Sequence, residues 1–154
     1  MRIYCAGPFF NPRQVEIANK IADLLRKSGF EAFAPVEEKF MEGGRLDAKM
    51  IFDRNIEWLD KSDAVFAQMD YPLDNGHDSV LPDSGTVWEM GYAFAKKIPV
   101  IGYTWEHKEK INLMLAQSIM GIFDFSNMEN RFPDVFDNGV IKFKGLKPYQ
   151  GRQI

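Results

Sequence analysis

The sequence predicts one α/β fold, a doubly wound, five-stranded parallel sheet with helices on both faces. Short apolar segments of β-prone residues alternate along the chain with longer segments whose apolar residues recur at helical spacing. This alternation is typical of parallel sheets that are covered by helices on both sides. The 154 residues are 45% apolar and 27% charged, which is a globular composition and not that of a disordered chain. Flavodoxin-like and Rossmann-like folds share this architecture.

The predicted elements of the first half are bounded by recognisable start and stop signals. In order they are a strand at 2–6, a helix at 12–28, a strand at 30–35, a loop at 36–46, a helix at 47–61 and a strand at 63–69. Asn11 and Pro12 are typical of an N-cap followed by proline in the first helical turn. Ser28 and Gly29 end that helix, and the strand at 63–69 is apolar enough to be buried on both faces.

The second half continues the alternation after a long polar connection at 70–83. It contains a helix at 84–97, a strand at 98–104, a short helix at 110–118 and a strand at 119–125. We treat residues 1–125 as the α/β domain and 126–154 as a C-terminal extension that packs on this domain or at a subunit interface. Ligands of such sheets bind beyond the carboxyl ends of the strands. The functional segments are therefore predicted at 6–12, 35–46, 69–86 and 104–112.

Composition and spacing exclude several classes of function. The single cysteine, Cys5, excludes a disulfide framework and most zinc sites, and His77 and His107 have no metal-ligand spacing between them. The net charge of −3 and the lack of a dense basic cluster argue against a nucleic-acid polymer as partner. The longest apolar runs are too short to span a membrane. With no recognisable signal peptide, these features predict a cytoplasmic protein without a metal site.

The segment after the first predicted strand holds three candidate ligand contacts. Gly7 permits a tight turn and a close approach of the backbone to a ligand. It is the only glycine of this segment, so the fingerprint of a dinucleotide site is missing. Phe9 and Phe10 either pack into the core or stack on a flat ligand such as a nucleobase, and the residues alone leave both alternatives open.

Polar residues near the third predicted helix are candidates for catalysis. Asp83 or Ser84 can cap this helix, and Glu89 lies in its first two turns, where the helix dipole favours an ionised carboxylate at neutral pH. Asp83 and Glu89 are six residues apart, about 240° around an ideal helix, so both reach one ligand only if Asp83 lies in the turn before the helix. The alternative is a cap and an exposed glutamate. By pattern alone, Asn55 is a polar residue in mid-helix and Asn112 is a capping or surface residue.

Four segments in order resemble the nucleoside 2-deoxyribosyltransferase family. They are IYCAGPFF at 3–10, NIEWLDKSDAVFAQMD at 55–70, PDSGTVWEMGYAFAKKIPV at 82–100 and INLM at 111–114. The third segment is the most specific, through its proline, aspartate, SGT, glutamate and GYA residues. The likeness covers residues 2–125.

This resemblance implies an enzyme of nucleoside salvage that moves a 2′-deoxyribosyl group between nucleobases through a covalent sugar–enzyme intermediate, with retention at C1′. On the matching positions, Glu89 is the nucleophile that attacks C1′, and Tyr4 is the tyrosine whose hydroxyl orients that carboxylate. Phe9 or Phe10 is the aromatic residue that packs on the base, and Asp83 contacts the 5′-hydroxyl of the sugar.

The resemblance also implies the partners. The substrates are 2′-deoxynucleosides and free nucleobases, and no cofactor is needed. Asn112 matches a residue that contacts the 5′-hydroxyl from a neighbouring subunit, which implies a homo-oligomer, a dimer or a hexamer, in which Asn112 completes a neighbour's site. Gly7, Ser84, Gly85 and Met114 lie within the matching segments and are expected at the substrate.

Asn55 departs from the pattern of many family members, which carry there an aspartate that acts as an acid on the base. An amide cannot protonate a leaving group, so we expect Asn55 to shift the base preference rather than to abolish transfer.

Two rival functions remain open on the sequence. A 2′-deoxynucleoside 5′-monophosphate N-hydrolase has the same fold and surrounds the phosphate with small hydroxyl residues; Ser84 fits that role, whereas the Asp83 carboxylate would repel a phosphate. A non-catalytic nucleoside-binding module would have no use for both Tyr4 and Glu89.

Overall fold

The predicted fold class is confirmed by a computed structural model of the chain. The structure describes residues 1–37, 41–42, 45–70, 79–80, 82–105, 110–125, 132–142 and 152–153. The strands of the central sheet are β1 (Arg2–Ala6), β2 (Glu31–Phe33), β3 (Ala64–Gln68), β4 (Val100–Thr104) and β5 (Ile122–Asp124). All neighbours pair in parallel, in the order β2-β1-β3-β4-β5. The strand order reverses between β1 and β3, where ligands of such sheets bind.

The helices begin at caps that local sequence supplies. They are α1 (Pro12–Lys27), α2 (Ala48–Lys61), α3 (Ser84–Ala95), α4 (Leu113–Ser118) and α5 (Phe132–Val135). The side chain of Asn11 accepts a hydrogen bond from the backbone N–H of Gln14 at 3.0 Å, and Asp47 caps α2 in the same way. After α1, Gly29 has a φ of +86°, and a Cβ there would lie 2.8 Å from the backbone N of Gly139. Only glycine fits this turn without strain.

Two predicted segments, the loop at 36–46 and the helix at 110–118, differ from the observed secondary structure. The predicted loop at 36–46 contains a 3₁₀ turn (Pro35–Glu37) and a short antiparallel pair (Met41–Glu42 with Arg45–Leu46). The predicted helix at 110–118 starts only after Asn112, because Lys110–Ile111 pairs as a strand with Ser79–Val80 and with Arg152–Gln153. Those partners are distant in sequence, so local spacing gives no sign of them.

Side chains of the central strands enter two cores, one on each face of the sheet. Ile3 and Cys5 of β1 pack with α1, whereas Tyr4 and Ala6 face α2 and α3. This follows from the two-residue period of a strand. It directs the Tyr4 side chain toward the helix that carries Glu89.

The described part of the C-terminal extension packs on the α1 face. The rings of Phe132 and Phe136 lie 6.2 and 5.0 Å from the ring of Phe66 in β3, and both are buried. A short antiparallel pair, Phe136–Asp137 with Val140–Ile141, follows α5. The remaining aromatic residues of the extension, Phe143 and Tyr149, lie outside the described residues. Within the described chain, no helix is long and apolar enough to cross a bilayer.

Candidate active site

A buried tyrosine and a glutamate meet near the carboxyl edge of the sheet. The Tyr4 hydroxyl of β1 donates a hydrogen bond of 2.6 Å to Oε1 of Glu89 in α3. Tyr4 has no exposed surface, and Glu89 is partly buried. Because α3 begins at the carboxyl edge and packs on β1 and β3, its second turn faces the Tyr4 side chain.

Asn55 of α2 is the second side chain that contacts this carboxyl group. Its Nδ2 donates to the same Oε1 of Glu89 at 3.4 Å, a long and weak hydrogen bond. When it is ionised, the carboxylate of Glu89 only accepts hydrogen bonds, and the amino group of Asn55 faces it as a donor. Its Oδ1 is buried and accepts no hydrogen bond from any described residue. The structure therefore brings Tyr4, Asn55 and Glu89 together.

The surroundings shift the pKa values of both ionisable partners. Burial raises the pKa of Glu89 from 4.5 to about 7; the charge of Asp83 raises it further, and the hydrogen bonds from Tyr4 and Asn55 oppose this rise. We predicted an ionised Glu89 at neutral pH from the helix dipole; with a pKa of about 7 it is only partly ionised there, because burial disfavours the charged form. Burial and the neighbouring Glu89 raise the pKa of Tyr4 well above its usual 10, so its hydroxyl remains a donor.

Asp83 lies in the turn before α3, the position that the spacing argument required. It is the N-cap, and its Oδ2 accepts a hydrogen bond of 3.1 Å from the backbone N–H of Thr86. A Cβ at Gly85 would lie only 3.0 Å from this Oδ2, so the absence of a side chain leaves room for the cap. Ser84 and Gly85 are exposed in the first turn of α3.

The loop after β1 passes close to the end of β3. A Cβ at Gly7 would lie 3.3 Å from the side chain of Gln68, which is closer than a Cβ atom normally approaches another atom. Phe9 is partly buried, Phe10 is exposed, and their rings stack 5.7 Å apart. Of the two alternatives for these phenylalanines, packing into the core is wrong for Phe10, whose side chain is exposed, whereas the stacking role of either ring stays a prediction.

Asn112 and Met114 are not among the described residues that form hydrogen bonds with Glu89. Asn112 is the N-cap of α4, and its Oδ1 accepts a hydrogen bond of 2.9 Å from the backbone N–H of Met114. Both residues are exposed. No hydrogen bond between described residues links Asn112 to Asp83 or Glu89.

Pattern reasoning missed a buried polar network beside Gly7. Gln68, at the end of β3, donates to the backbone oxygen of Asp70 at 3.2 Å and accepts from the Tyr103 hydroxyl at 3.4 Å. Asp70 in turn accepts a hydrogen bond of 2.8 Å from the backbone N–H of Trp105. The network ties the connections after β3 and β4 together. Its only signal in the sequence is a pair of polar residues at the end of an apolar strand.

The described residues were also compared with the ligand sets that hold metal ions in proteins. They contain no group of three or more His, Cys, Asp or Glu side chains that could hold a metal ion. His77 and His107 lie outside the described residues.

Comparison with known proteins decides the family. The sequence profile of the nucleoside 2-deoxyribosyltransferases matches residues 3–139. The chain belongs to this family. The solved 2-deoxyribosyltransferase of Bacillus psychrosaccharolyticus is 27% identical to it, with a TM-score of 0.73 over 97% of this chain and 99% of that one.

Three other proteins resemble the chain. The 2-desoxiribosyltransferase of Leishmania mexicana is 26% identical, with a TM-score of 0.53 over 68% of this chain and 65% of that one. A conserved protein from Enterococcus faecalis shares the fold, at 24% identity and a TM-score of 0.58 over 76% of this chain and 70% of its own. An uncharacterised protein of Ureaplasma parvum, UU063, is 24% identical over 94% of this chain and 97% of its own.

Proposed function

We propose that this chain transfers 2′-deoxyribosyl groups between nucleobases in nucleoside salvage, with Glu89 as the covalent nucleophile. The observation that carries the proposal is the 2.6 Å hydrogen bond from buried Tyr4 to the Glu89 carboxyl group. It holds one carboxylate oxygen, Oε1, and among the described residues no hydrogen bond is made to the other, Oε2, which we propose as the attacking atom. Membership of the deoxyribosyltransferase family supports a reaction of this type.

The chemistry of the glycosidic bond suits a held carboxylate. Breaking the bond between C1′ and the base places positive charge on the sugar, and a carboxylate close to C1′ stabilises that charge. Glu89 forms an ester bond to C1′ while the base leaves with the bonding electrons and takes up a proton. A ring nitrogen of a second base then attacks C1′, loses its proton and releases Glu89. Two displacements retain the configuration at C1′.

Other residues have proposed roles around this step. Tyr4 orients the carboxylate and Asn55 shares that task, so the proton for the leaving base comes from another group or from water. Asp83 contacts the 5′-hydroxyl, and Phe9 or Phe10 packs on the base. Gly7 in the loop after β1, and Ser84 and Gly85 in the first turn of α3, are proposed to lie against the substrate.

Asn112 and Met114 are proposed to act across an oligomer. Both are exposed at the start of α4, and α4 packs against α3. In a homo-oligomer they would reach the 5′ side of a neighbour's site, where Asp83 also contacts the sugar.

The nucleotide hydrolase remains the second candidate, favoured by the exposed hydroxyl of Ser84 in the first turn of α3. Backbone N–H groups at a helix start attract phosphate. Against it, the carboxylate of Asp83 occupies the cap at this helix end and would repel a phosphate. We therefore favour nucleosides over nucleotides.

A chromatographic assay tests the proposal. 2′-Deoxyinosine or thymidine serves as donor and adenine as acceptor, and the chain is compared with Glu89→Ala. Glu57→Ala, which removes an exposed glutamate of α2, is the matched control. We expect 2′-deoxyadenosine from the unmodified chain and from the control, and none from Glu89→Ala. Free base without a new nucleoside would indicate a hydrolase, and turnover of deoxynucleotides alone would favour the second candidate.

A further inference from the structure

A buried glutamine at the start of α1 holds the loop that follows β1. Gln14 is the third residue of this helix, and it is 1% exposed. Its Oε1 accepts a hydrogen bond of 2.8 Å from the backbone N–H of Phe10. The side chain of an ordinary capping glutamine reaches back only to the N–H of the cap residue, which is here Asn11. The Gln14 side chain therefore extends past the cap and holds a residue of the loop.

The start of α1 has its cap without this contact. Asn11 accepts a hydrogen bond of 3.0 Å from the backbone N–H of Gln14. Pro12, which has no N–H that needs a partner, occupies the first helical position. The bond between Gln14 and Phe10 therefore fixes the loop before the helix rather than the helix itself.

A second buried glutamine supports the other end of the same loop. Gln68, at the end of β3, has no exposed surface, and its Cβ and Oε1 would each lie 3.3 Å from a Cβ at Gly7. The Gln68 side chain is itself fixed, because it donates to the backbone oxygen of Asp70 and accepts from the Tyr103 hydroxyl. Gly7 thus packs closely on a side chain that two hydrogen bonds hold in place.

Between these two supports the loop carries a pair of aromatic rings. Pro8 is buried, and its ring fixes the backbone φ angle at that position. Phe9 and Phe10 follow, and their rings stack 5.7 Å apart, with Phe10 exposed. The loop leaves the carboxyl end of β1, the strand that carries Tyr4. Its rings therefore belong to the sheet edge at which ligands of such folds bind.

We propose that Gln14 and Gln68 are positioning residues, which hold the loop from Gly7 to Phe10 so that its two rings form a preformed surface for a nucleobase. This role rests on the proposed function, because it takes a base as the ligand of the rings. A base has a flat π face and stacks on aromatic side chains. An ordered surface binds the base more tightly, since a mobile loop would lose conformational entropy on binding.

The two glutamines act on base binding and not on the reacting carboxyl group. Glu89 accepts hydrogen bonds from Tyr4 and Asn55, and neither glutamine is among its described partners. A change at Gln14 should therefore weaken the binding of a base while the ionisation of Glu89 stays the same.

Hydrogen exchange and adenine binding by the full chain test the positioning role. Gln14→Leu fills the same space without an acceptor for the Phe10 N–H, so exchange of that amide, followed by NMR, should become faster. The Kd for adenine, measured by calorimetry, should rise at least about fivefold, which corresponds to the loss of one hydrogen bond. Gln14→Glu keeps an acceptor oxygen at the same reach and should restore the Kd to within about twofold.

Ser62→Ala is the matched control. Ser62 is buried, and its side chain also forms one hydrogen bond with the backbone, which it donates to the oxygen of Trp58 at 2.7 Å. Because Ser62 lies just before β3, it belongs to the opposite edge of the sheet. This variant should lose a comparable amount of stability in urea and leave the Kd for adenine unchanged.

Transfer kinetics separate positioning from a general loss of structure. In Gln14→Leu and in Gln68→Leu, the KM for adenine should rise while kcat changes by less than about twofold. The acidic side of the pH profile should stay where it is. In the variant Phe9→Leu/Phe10→Leu, which lacks both rings, adding Gln14→Leu should change KM very little, because residues that act through one another are not additive. A full effect of Gln14→Leu in that variant would overturn the positioning role.

Failure of the positioning role and failure of the proposed function give different results. Equal Kd values for adenine in Gln14→Leu and in the unmodified chain would overturn the positioning role while the unmodified chain still performs transfer. An unmodified chain that binds adenine, and binds it more weakly after Gln14→Leu, but performs no transfer would overturn the proposed function and support the positioning role.

Discussion

The hydroxyl of Tyr4 lies 2.6 Å from Oε1 of Glu89, although 85 positions separate the two residues in the chain. The bond joins strand β1 to α3 and fixes one oxygen of a desolvated carboxyl group. The bond is strongest when Glu89 is ionised, because the acceptor is then charged and lies in dry surroundings.

Activity should depend on the ionised form of Glu89. Burial raises the pKa of this carboxyl to about 7, and only the carboxylate can attack C1′. Below pH 7, kcat/KM for transfer should therefore fall about tenfold for each pH unit, and above pH 8 it should be level. A pH profile of transfer measures this. A rate that does not change between pH 5 and 8 would contradict the assigned nucleophile.

In Tyr4→Phe, the fall of kcat/KM on the acidic side of the pH profile (the acidic limb) should begin at a higher pH. The hydrogen bond from Tyr4 lowers the pKa of Glu89, so its loss lets the pKa rise further above 7. We also expect kcat to fall by about 10- to 100-fold, because the carboxylate is no longer held. Tyr103→Phe is the control, since Tyr103 is an equally buried tyrosine that bonds Gln68 instead. A shift of the limb in both variants would argue against a specific role of Tyr4.

Glu89→Gln should stabilise the folded chain at high pH. The pKa of Glu89 is raised in the folded state, so the stability that this residue contributes as a neutral acid is present below pH 4.5 and is lost as the pH rises to about 7. Glutamine stays neutral throughout. Its advantage in the free energy of unfolding should therefore grow with pH by up to about 3 kcal/mol. Urea unfolding at pH 5 and pH 8 measures it, and an equal difference at both values would contradict the raised pKa.

Asn55→Asp should couple a second carboxyl group to Glu89. The amide now donates to Glu89 at 3.4 Å, and a carboxylate in its place would share a proton with it and raise its pKa. The pH below which kcat/KM falls should therefore be higher in this variant. The new acid should also change the relative rates of purine and pyrimidine donors. Asn55→Ala separates the loss of the amide from the gain of the acid. Unchanged rates and base preference in Asn55→Asp would remove Asn55 from the site.

Asp83→Asn should lower the pKa of Glu89. Asparagine caps a helix about as well as aspartate, so α3 should keep its stability to within about 1 kcal/mol. The charge that raises the pKa of Glu89 is gone, and the acidic limb should move to lower pH. Asp47→Asn, the same change at the cap of α2, should leave the profile unmoved. An unmoved profile in Asp83→Asn would mean that the two carboxyl groups do not interact.

The sequence by itself determined the chain order of the five sheet strands and of the four helices between them, with edges that differ by up to three residues. The strand over residues 2–6 and the cap at Asn11 follow from residues within one helical turn of each other, whose preferences are local. Resemblance to the family added the expectation that Tyr4 orients Glu89, which spacing alone could not supply.

Tertiary structure alone decided the electrostatics and the pairing of distant segments. Lys110–Ile111 is a strand because Ser79–Val80 and Arg152–Gln153 lie beside it, not because of its own pattern. Glu89 has a pKa near 7 because the folded chain removes water from around it. Hydrogen bonds and desolvation depend on distances of a few ångströms between residues far apart in the chain, and only the folded chain brings those residues together.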